Sequence, residues 1–201
     1  MAVRDALLAL LTIAPAYGFH LHGELARRTG GRREVNVGQT YSTIERLGKQ
    51  GLIEAAGTTA DGLPLHRLTR SGRAAARAWL GGQDAAGADP ADETVDRVLV
   101  SLSFPRGDAG EVLAGERERW AARLDAATRA AADAGSDAEA GLAALASAAD
   151  AERARAMLAW LERVGEADAG ALRIRPRADR PRRGRPAAAP ASIADQASAR
   201  S

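Results

Sequence analysis

Cysteine is absent from the 201 residues. That excludes disulfides, thiolate nucleophiles, zinc–thiolate sites and iron–sulfur clusters. Histidine is scarce, with three copies. His20 and His22 lie two positions apart in a helical stretch. At about 100° per residue they point about 200° apart and cannot close on one ion. No metal site and no cofactor is expected. No apolar run approaches the ~18 residues that span a bilayer. Leu7 to Ala16 is apolar, but it runs into a patterned helix and lacks the small-residue cleavage site of a secretory leader. The expectation is a cytoplasmic chain with no membrane partner. Also missing are a Gly-x-Ser-x-Gly elbow and a Walker loop, since Gly48-Lys49 has no following Ser or Thr. The acidic residues between 84 and 96 lack the spacing of a calcium loop and read as a solvated linker. No catalytic residue is assigned, and the chain is not expected to be an enzyme.

Lysine occurs once, at Lys49; every other basic residue is arginine, and alanine makes up about a quarter of the chain. Both biases follow base composition as readily as function, so neither is used as a signal. Charge distribution is more informative. The net charge of +2 hides three zones: residues 1–80 carry 11 basic and 6 acidic side chains, residues 81–172 carry 9 and 18, and residues 173–201 carry 8 and 2. A basic head and a basic tail flanking an acidic middle suggest a polyanionic partner for the ends.

The head reads as helices and one hairpin. Asp5–Ile13 is an apolar helix closed by Pro15, and Tyr17–Thr29 is a second, stopped by Gly30-Gly31. A third starts at Asn36, with Gln39 in capping-box position, and ends at Gly51. Helical spacing places Val37, Thr40, Tyr41, Ile44, Leu47 and Gly48 on a packing face. Gln39, Ser42, Arg46, Lys49 and Gln50 share the opposite face, with Thr43 at its edge. Amides and arginine can read base edges in a major groove, while hydroxyls and lysine suit phosphates. Leu52–Ala55 and Leu63–Leu68 read as a hairpin around Asp61-Gly62, Pro64 suiting an edge or turn position. Thr69 caps a fourth helix in which Ala74, Ala78 and Trp79 can pack. Three helices, a hairpin and a closing helix make a winged helix-turn-helix, whose third helix would enter the groove.

The head resembles the PadR family of winged-helix transcriptional regulators. The resemblance is carried by Leu8-Ala9-Leu10-Leu11, by Pro15-Ala16-Tyr17-Gly18-Phe19-His20-Leu21, and by Val37-Gly38-Gln39-Thr40-Tyr41-Ser42-Thr43-Ile44-Glu45-Arg46-Leu47. Gly51-Leu52-Ile53, then Arg67-Leu68-Thr69-Arg70-Ser71-Gly72-Arg73 and Trp79-Leu80 complete it. It implies dimeric DNA-binding regulators, mostly repressors, many of which respond to small aromatic or drug-like ligands. The wing tip departs from the pattern: Gly62-Leu63-Pro64-Leu65-His66-Arg67 is apolar but for its last residues.

The middle reads as helices built for pairing. Residues 82–91 are a Gly/Ala/Asp-rich linker. Val95, Val98, Leu99 and Leu102 then recur at helical spacing. A long helix from Asp108 to Ala134 aligns Leu113, Trp120, Leu124 and Ala127, and another over 138–167 aligns Met157, Trp160, Leu161 and Val164. Such narrow stripes are too thin for a core of their own, and a second copy would cover them. The dimerisation residues read this way are Leu113, Trp120, Leu124, Met157, Trp160 and Leu161. Trp79, Trp120 and Trp160 are read either as core and interface anchors or as the lining of an effector pocket. The tail is Arg/Pro-rich without apolar period and reads as disordered; its Arg183-Gly184-Arg185-Pro186 resembles an AT-hook core.

The expected fold is therefore mostly α. Residues 1–81 form the winged helix, 82–91 a linker, 92–170 a helical dimerisation domain and 171–201 a disordered tail. The expected function is sequence-specific regulation of transcription, as a dimeric repressor on a palindromic double-stranded operator, released by a small aromatic or hydrophobic effector. Gln39, Ser42, Thr43 and Arg46 would face bases; Tyr17, Lys49 and Arg67 would hold phosphates. Two alternatives stand beside it: a ligand-independent architectural DNA-binding protein, and a helical protein-interaction module.

Overall fold

The computed structural model describes residues 2–175 except Glu34, Asp108, Ala134 and Ser136. Within them lie α1 (Ala2–Leu10), α2 (Gly18–Arg28), α3 (Val37–Lys49), β1 (Ile53–Thr58), β2 (Pro64–Leu68) and α4 (Arg70–Leu80). Then come α5 (Pro90–Leu102), α6 (Ala109–Ala132) and α7 (Ala138–Glu166). The chain is mostly α, as its patterning predicts. Beyond Arg4 and Asp5, α1 is apolar on every side. Ala6, Leu7, Leu8 and Ala9 are fully buried, which is how a helix reads when it is the centre of a core rather than one wall. α2, α4 and α5 pack around it.

β1 and β2 pair antiparallel, Ile53 opposite Leu68 and Glu54 opposite Arg67, with an irregularity between Ala55 and Thr58. Gly57, at φ +88°, sits in that irregularity, where a left-handed backbone admits glycine most readily. Pro64 is the first residue of β2, a place that needs no ladder donor. Ala16 and His66 exchange backbone hydrogen bonds of 3.0 and 2.9 Å, tying the α1–α2 corner to the hairpin root. The Thr69 hydroxyl caps α4 by accepting from the Gly72 N–H. Of the residues expected to pack on α4, Trp79 is buried with Ala76, whereas Ala74 is exposed.

α5 serves two cores. Val100 belongs to the winged-helix cluster with Leu7, Leu25, Leu47 and Trp79. Val98 and Leu102 pack with Trp120, Ala154 and Leu161 in a second cluster. α6 and α7 form the helical hairpin behind it, with the Arg117 guanidinium donating to the Leu161 carbonyl at 3.0 Å. Trp120 and Leu161, expected at a dimer interface, are 3% and 0% exposed within the single chain. Their role is corrected accordingly. The α6–α7 hairpin and α5 bury them without a second copy, while Leu113, Leu124, Met157 and Trp160 are only partly buried against the same cluster.

The acidic segment between 84 and 96 is not the solvated linker its composition suggests. Glu93 and Asp96 are fully buried. The Trp79 indole N–H donates to Glu93 at 2.5 Å, and Arg33 donates to Asp96 at 2.5 Å. Arg97, also fully buried, donates to Glu116 and, at 2.7 Å, to Asp84. Thr94 donates to Glu116 at 2.8 Å and accepts from the Trp120 indole at 2.8 Å. Burial opposes ionisation of Glu116, yet Arg119, Arg97 and Thr94 hold its carboxyl below the ordinary carboxylate value.

Asp5 on α1 borders this network. One of its oxygens accepts from Arg4 at 2.8 Å. The other, Oδ2, is buried without a hydrogen-bond partner, as is Oε1 of Glu93. Burial, with the Glu93 charge adding to it against Arg4 and Arg97, raises the Asp5 carboxyl above its ordinary 3.8. A raised folded-state value means that folding favours the protonated form. This contribution to stability is full below pH 3.8 and is lost as pH rises through the folded value. The Asp5→Asn variant should lack that loss. Thermal unfolding from pH 3 to pH 7 is expected to show the variant gaining on the native protein as pH rises. A constant difference would rule the account out.

Residues 171–175, grouped with the tail in the sequence, run back to the winged helix. The Ile174 N–H donates to the Ser103 carbonyl at 2.9 Å. The buried Arg28 guanidinium donates to Glu24 (2.7 Å), to the Ser103 carbonyl (2.6 Å) and to the Ile174 carbonyl (3.1 Å). The Arg/Pro-rich stretch from 176 onward, with its Arg-Gly-Arg-Pro, lies outside the described residues. Among the described residues no helix is long and apolar enough to cross a membrane.

Candidate nucleic-acid interface

α3 presents the candidate surface. The Asn36 side chain caps it, accepting from the Gln39 N–H at 2.9 Å, which satisfies one of the four unpaired donors of a helix start. Thr40, Thr43, Ile44 and Leu47 are buried, a stripe at i, i+3, i+4 and i+7. Gln39, Ser42, Glu45, Arg46 and Lys49 are exposed opposite it. The outward face is therefore polar and projects from a helix held on its other side by the core.

Four placements differ from the expected wheel: Val37 and Gly48 are exposed rather than packed, and Thr43 and Tyr41 exchange sides. Thr43 is 5% exposed, so it does not face outward with Arg46. Its hydroxyl donates to the Gln39 carbonyl at 2.8 Å, and a threonine satisfied by its own helix can turn inward. Tyr41 moves the other way and is 48% exposed. A Cβ on Gly18 would meet its ring at 2.6 Å, so the tyrosine lies over the α2 N-terminus at the rim rather than in the core. With Phe19 (44%) and Val37 (38%) it forms an exposed apolar border. Nothing in the periodicity of α3 signals this. The only trace in the sequence is the glycine at the start of α2, small enough to admit the ring.

The cations of the surface are not equivalent. Lys49 pairs with Glu45 at 2.6 Å, and Arg67 pairs with Glu54 at 2.8 Å, all four side chains being exposed. The Lys49 hydrogen bond holds the Glu45 carboxyl below its ordinary value. Exposed pairs of this kind are weak and exchange readily for another anion. Arg46 has no carboxylate partner among the described residues, and it donates at 3.1 Å to the Thr43 hydroxyl. Ser42 donates to the Gln39 carbonyl at 3.0 Å. Tyr17 stands half-buried at the N-cap of α2, its ring 5.7 Å from that of His20. Burial alone lowers the His66 imidazole below its ordinary value, favouring the neutral form at the hairpin root.

The tryptophans do not converge on a pocket. Trp79 and Trp120 are 2% and 3% exposed, and both indole N–H groups are committed to the buried network. Trp160 packs beside Trp120 in the second cluster. Trp79 and Trp120 fill the two cores, with Trp160 partly buried against the second. A cavity of about 350 Å³ lies instead between α4, α5 and α6, lined by Leu80, Phe104, Val112 and Arg77. A second, of about 280 Å³, lies behind α3. No group of acidic and histidine side chains suited to a metal ion occurs among the described residues.

Over residues 7–78 the sequence matches the transcriptional regulator PadR-like family. No curated protein gives a significant match. Among solved structures, Bacillus subtilis PadR in complex with operator DNA is similar at 19% identity, covering 82% of this chain and 96% of that one, with a TM-score of 0.37. Bacillus subtilis PadR in complex with p-coumaric acid is similar at 18% identity, with the same coverages and a TM-score of 0.35.

Proposed function

Because residues 7–78 are a domain of the transcriptional regulator PadR-like family, we propose that this chain binds operator DNA through α3 as a dimeric repressor. The observation that carries the reading is the outward polar stripe of Gln39, Ser42, Arg46 and Lys49 on a helix whose opposite face is locked in the core. In this reading Arg46, with Gln39 and Ser42, meets base edges, and Tyr17, Lys49 and Arg67 meet phosphates. Thr43 is a packing residue behind them, and Tyr41 joins the contact border.

Two copies would place two α3 helices about one helical turn of DNA apart on a palindromic site. The partly buried Leu113, Leu124, Met157 and Trp160 offer a pairing surface, extended by Leu142 and Leu145, which are 69% and 70% exposed on α7. A small aromatic or hydrophobic effector would suit the cavity bordered by Leu80, Phe104 and Val112, where α4 of the winged helix meets α5 and α6. Occupation there would shift the two reading heads between spacings.

The Arg46→Ala variant tests the central claim. Fluorescence anisotropy on operator DNA should show affinity falling about 10- to 100-fold, the loss of one good base contact. The weaker binding to unrelated duplex, driven by phosphate attraction and suppressed by salt, should remain. Equal affinity of the variant and the native protein for the operator would refute the groove assignment.

A further inference from the structure

The turn between α2 and α3 is attached to α5 by charge. Arg32 donates to Asp92 at 2.8 Å, and its Nε lies 3.8 Å from Asp96. Arg33 donates to Asp96 at 2.5 Å and lies 3.3 Å from Asp92. Asp92 and Asp96 stand one helical turn apart near the start of α5. At the other end of α5, the buried Arg28 donates at 2.6 Å to the carbonyl of Ser103, its C-cap. Three guanidinium groups, from the end of α2 and the turn after it, grip both ends of one helix. The turn is itself constrained: Gly30 and Gly31 take φ of +60° and +79°, and the Arg33 N–H donates to the buried Thr29 hydroxyl at 3.3 Å. α3 follows at Val37, while α5 carries Val98 and Leu102 into the cluster of α6 and α7. Asp96 is 0% exposed. A buried ion pair adds little net stability, because desolvation offsets the attraction. What a guanidinium–carboxylate pair does supply is direction.

We propose that Arg32 and Arg33, with Asp92 and Asp96, are positioning residues for DNA recognition: this clasp sets the angle of α3 against α5, and so the half-site spacing that two paired copies accept. The role rests on the reading of α3 as the base-contacting helix and of the chain as a dimer. Each base pair turns a duplex by about 35° and advances it by about 3.4 Å. Two heads of fixed orientation therefore engage both half-sites at one spacing, and a changed spacing forfeits the second contact. Heads released from the clasp reach more spacings, but ordering them on the duplex costs affinity. Neither arginine touches DNA in this arrangement; each acts through the placement of α3.

The experiment uses the full chain and the palindromic duplex that the native protein selects from random-sequence DNA. Its isolated half-site, and versions one base pair longer and shorter between half-sites, complete the set. Charge is removed from either side of the clasp, by Arg32→Gln with Arg33→Gln and by Asp92→Asn with Asp96→Asn. In anisotropy both variants should bind the palindrome about tenfold more weakly than the native protein, and the half-site within about twofold of it. The native preference for one spacing, about tenfold or more, should shrink to about threefold in both. A second readout needs no DNA. The chain has no cysteine, so Gln50→Cys at the exposed C-cap of α3 carries one spin label per copy. Dipolar spectroscopy then reads the distance between the two α3 helices, whose distribution should broaden in both variants. Asp92→Asn alone, at a half-exposed side chain, gives the same pattern in smaller measure should the double aspartate variant not fold. Half-site affinity that falls in the arginine variant and rises in the aspartate variant would make the arginines phosphate contacts and overturn the proposal. An unchanged spacing preference and label distribution in both variants would overturn it as well. No selected duplex, with a label distribution broadened by both variants, would establish the clasp and defeat the DNA reading instead.

Discussion

Replacing Arg97 by methionine is expected to lower the free energy of unfolding by about 3–5 kcal/mol. Arg97 is fully buried and faces three carboxylates, donating to Glu116 and Asp84 and lying 4.0 Å from Glu93. It also rests over the Trp79 ring, 5.4 Å from the centroid. Methionine keeps much of the bulk and removes the charge. Glu93 would then retain only the Trp79 indole, and Glu116 only Arg119 and Thr94. The cost is chiefly that of leaving charges buried and uncompensated, not the loss of a favourable bond. Pairing the substitution with Glu116→Gln should therefore recover part of the loss. Denaturant unfolding of the two single variants and the double variant measures it. An Arg97→Met protein within about 0.5 kcal/mol of the native value would show that the network contributes nothing to folding.

Gly72→Ala is expected to cost about 3 kcal/mol and to lower the melting temperature by roughly 10 °C. The added Cβ would lie 1.9 Å from the Leu52 carbonyl oxygen and 2.9 Å from its carbon. Backbone cannot rotate away as a side chain can, so α4 and the root of the hairpin must separate. That separation strains the bonds that hold the corner: the Thr69 N–H to the Leu52 carbonyl at 3.0 Å, and the Thr69 hydroxyl to the Gly51 carbonyl at 2.7 Å. Gly48→Ala is the control. It lies on α3 with nothing within 4 Å of the added carbon, and an exposed helical glycine gains up to about 1 kcal/mol on becoming alanine. Calorimetric melting of both variants separates close approach from simple glycine composition. Equal melting temperatures would exclude the steric account.

The reading of α3 shows where sequence suffices. Its cap, ends and buried Thr40, Ile44 and Leu47 follow from Asn36, Gly51 and a 3.6-residue period. Which of Tyr41 and Thr43 turned inward did not follow. That choice depended on a hydrogen bond within the helix and on the free space above Gly18, and neither leaves a periodic mark. The tryptophans make the same point. Their rarity marked them as important, but an indole can fill a core or line a pocket with the same spacing.

By itself the sequence determined the local elements of this protein: caps, glycine stops, apolar periods, and a basic head that matches the PadR-like family over 7–78. Those are short-range properties, set by dihedral preference and by which residues recur on one face. Tertiary structure alone decided that the acidic segment around Glu93 and Asp96 is interior, that α5 belongs to two cores, and that residues 174–175 return to Arg27 and Arg28. A charge is buried only where partners distant in the chain compensate it. Composition counts those partners without saying which of them meet.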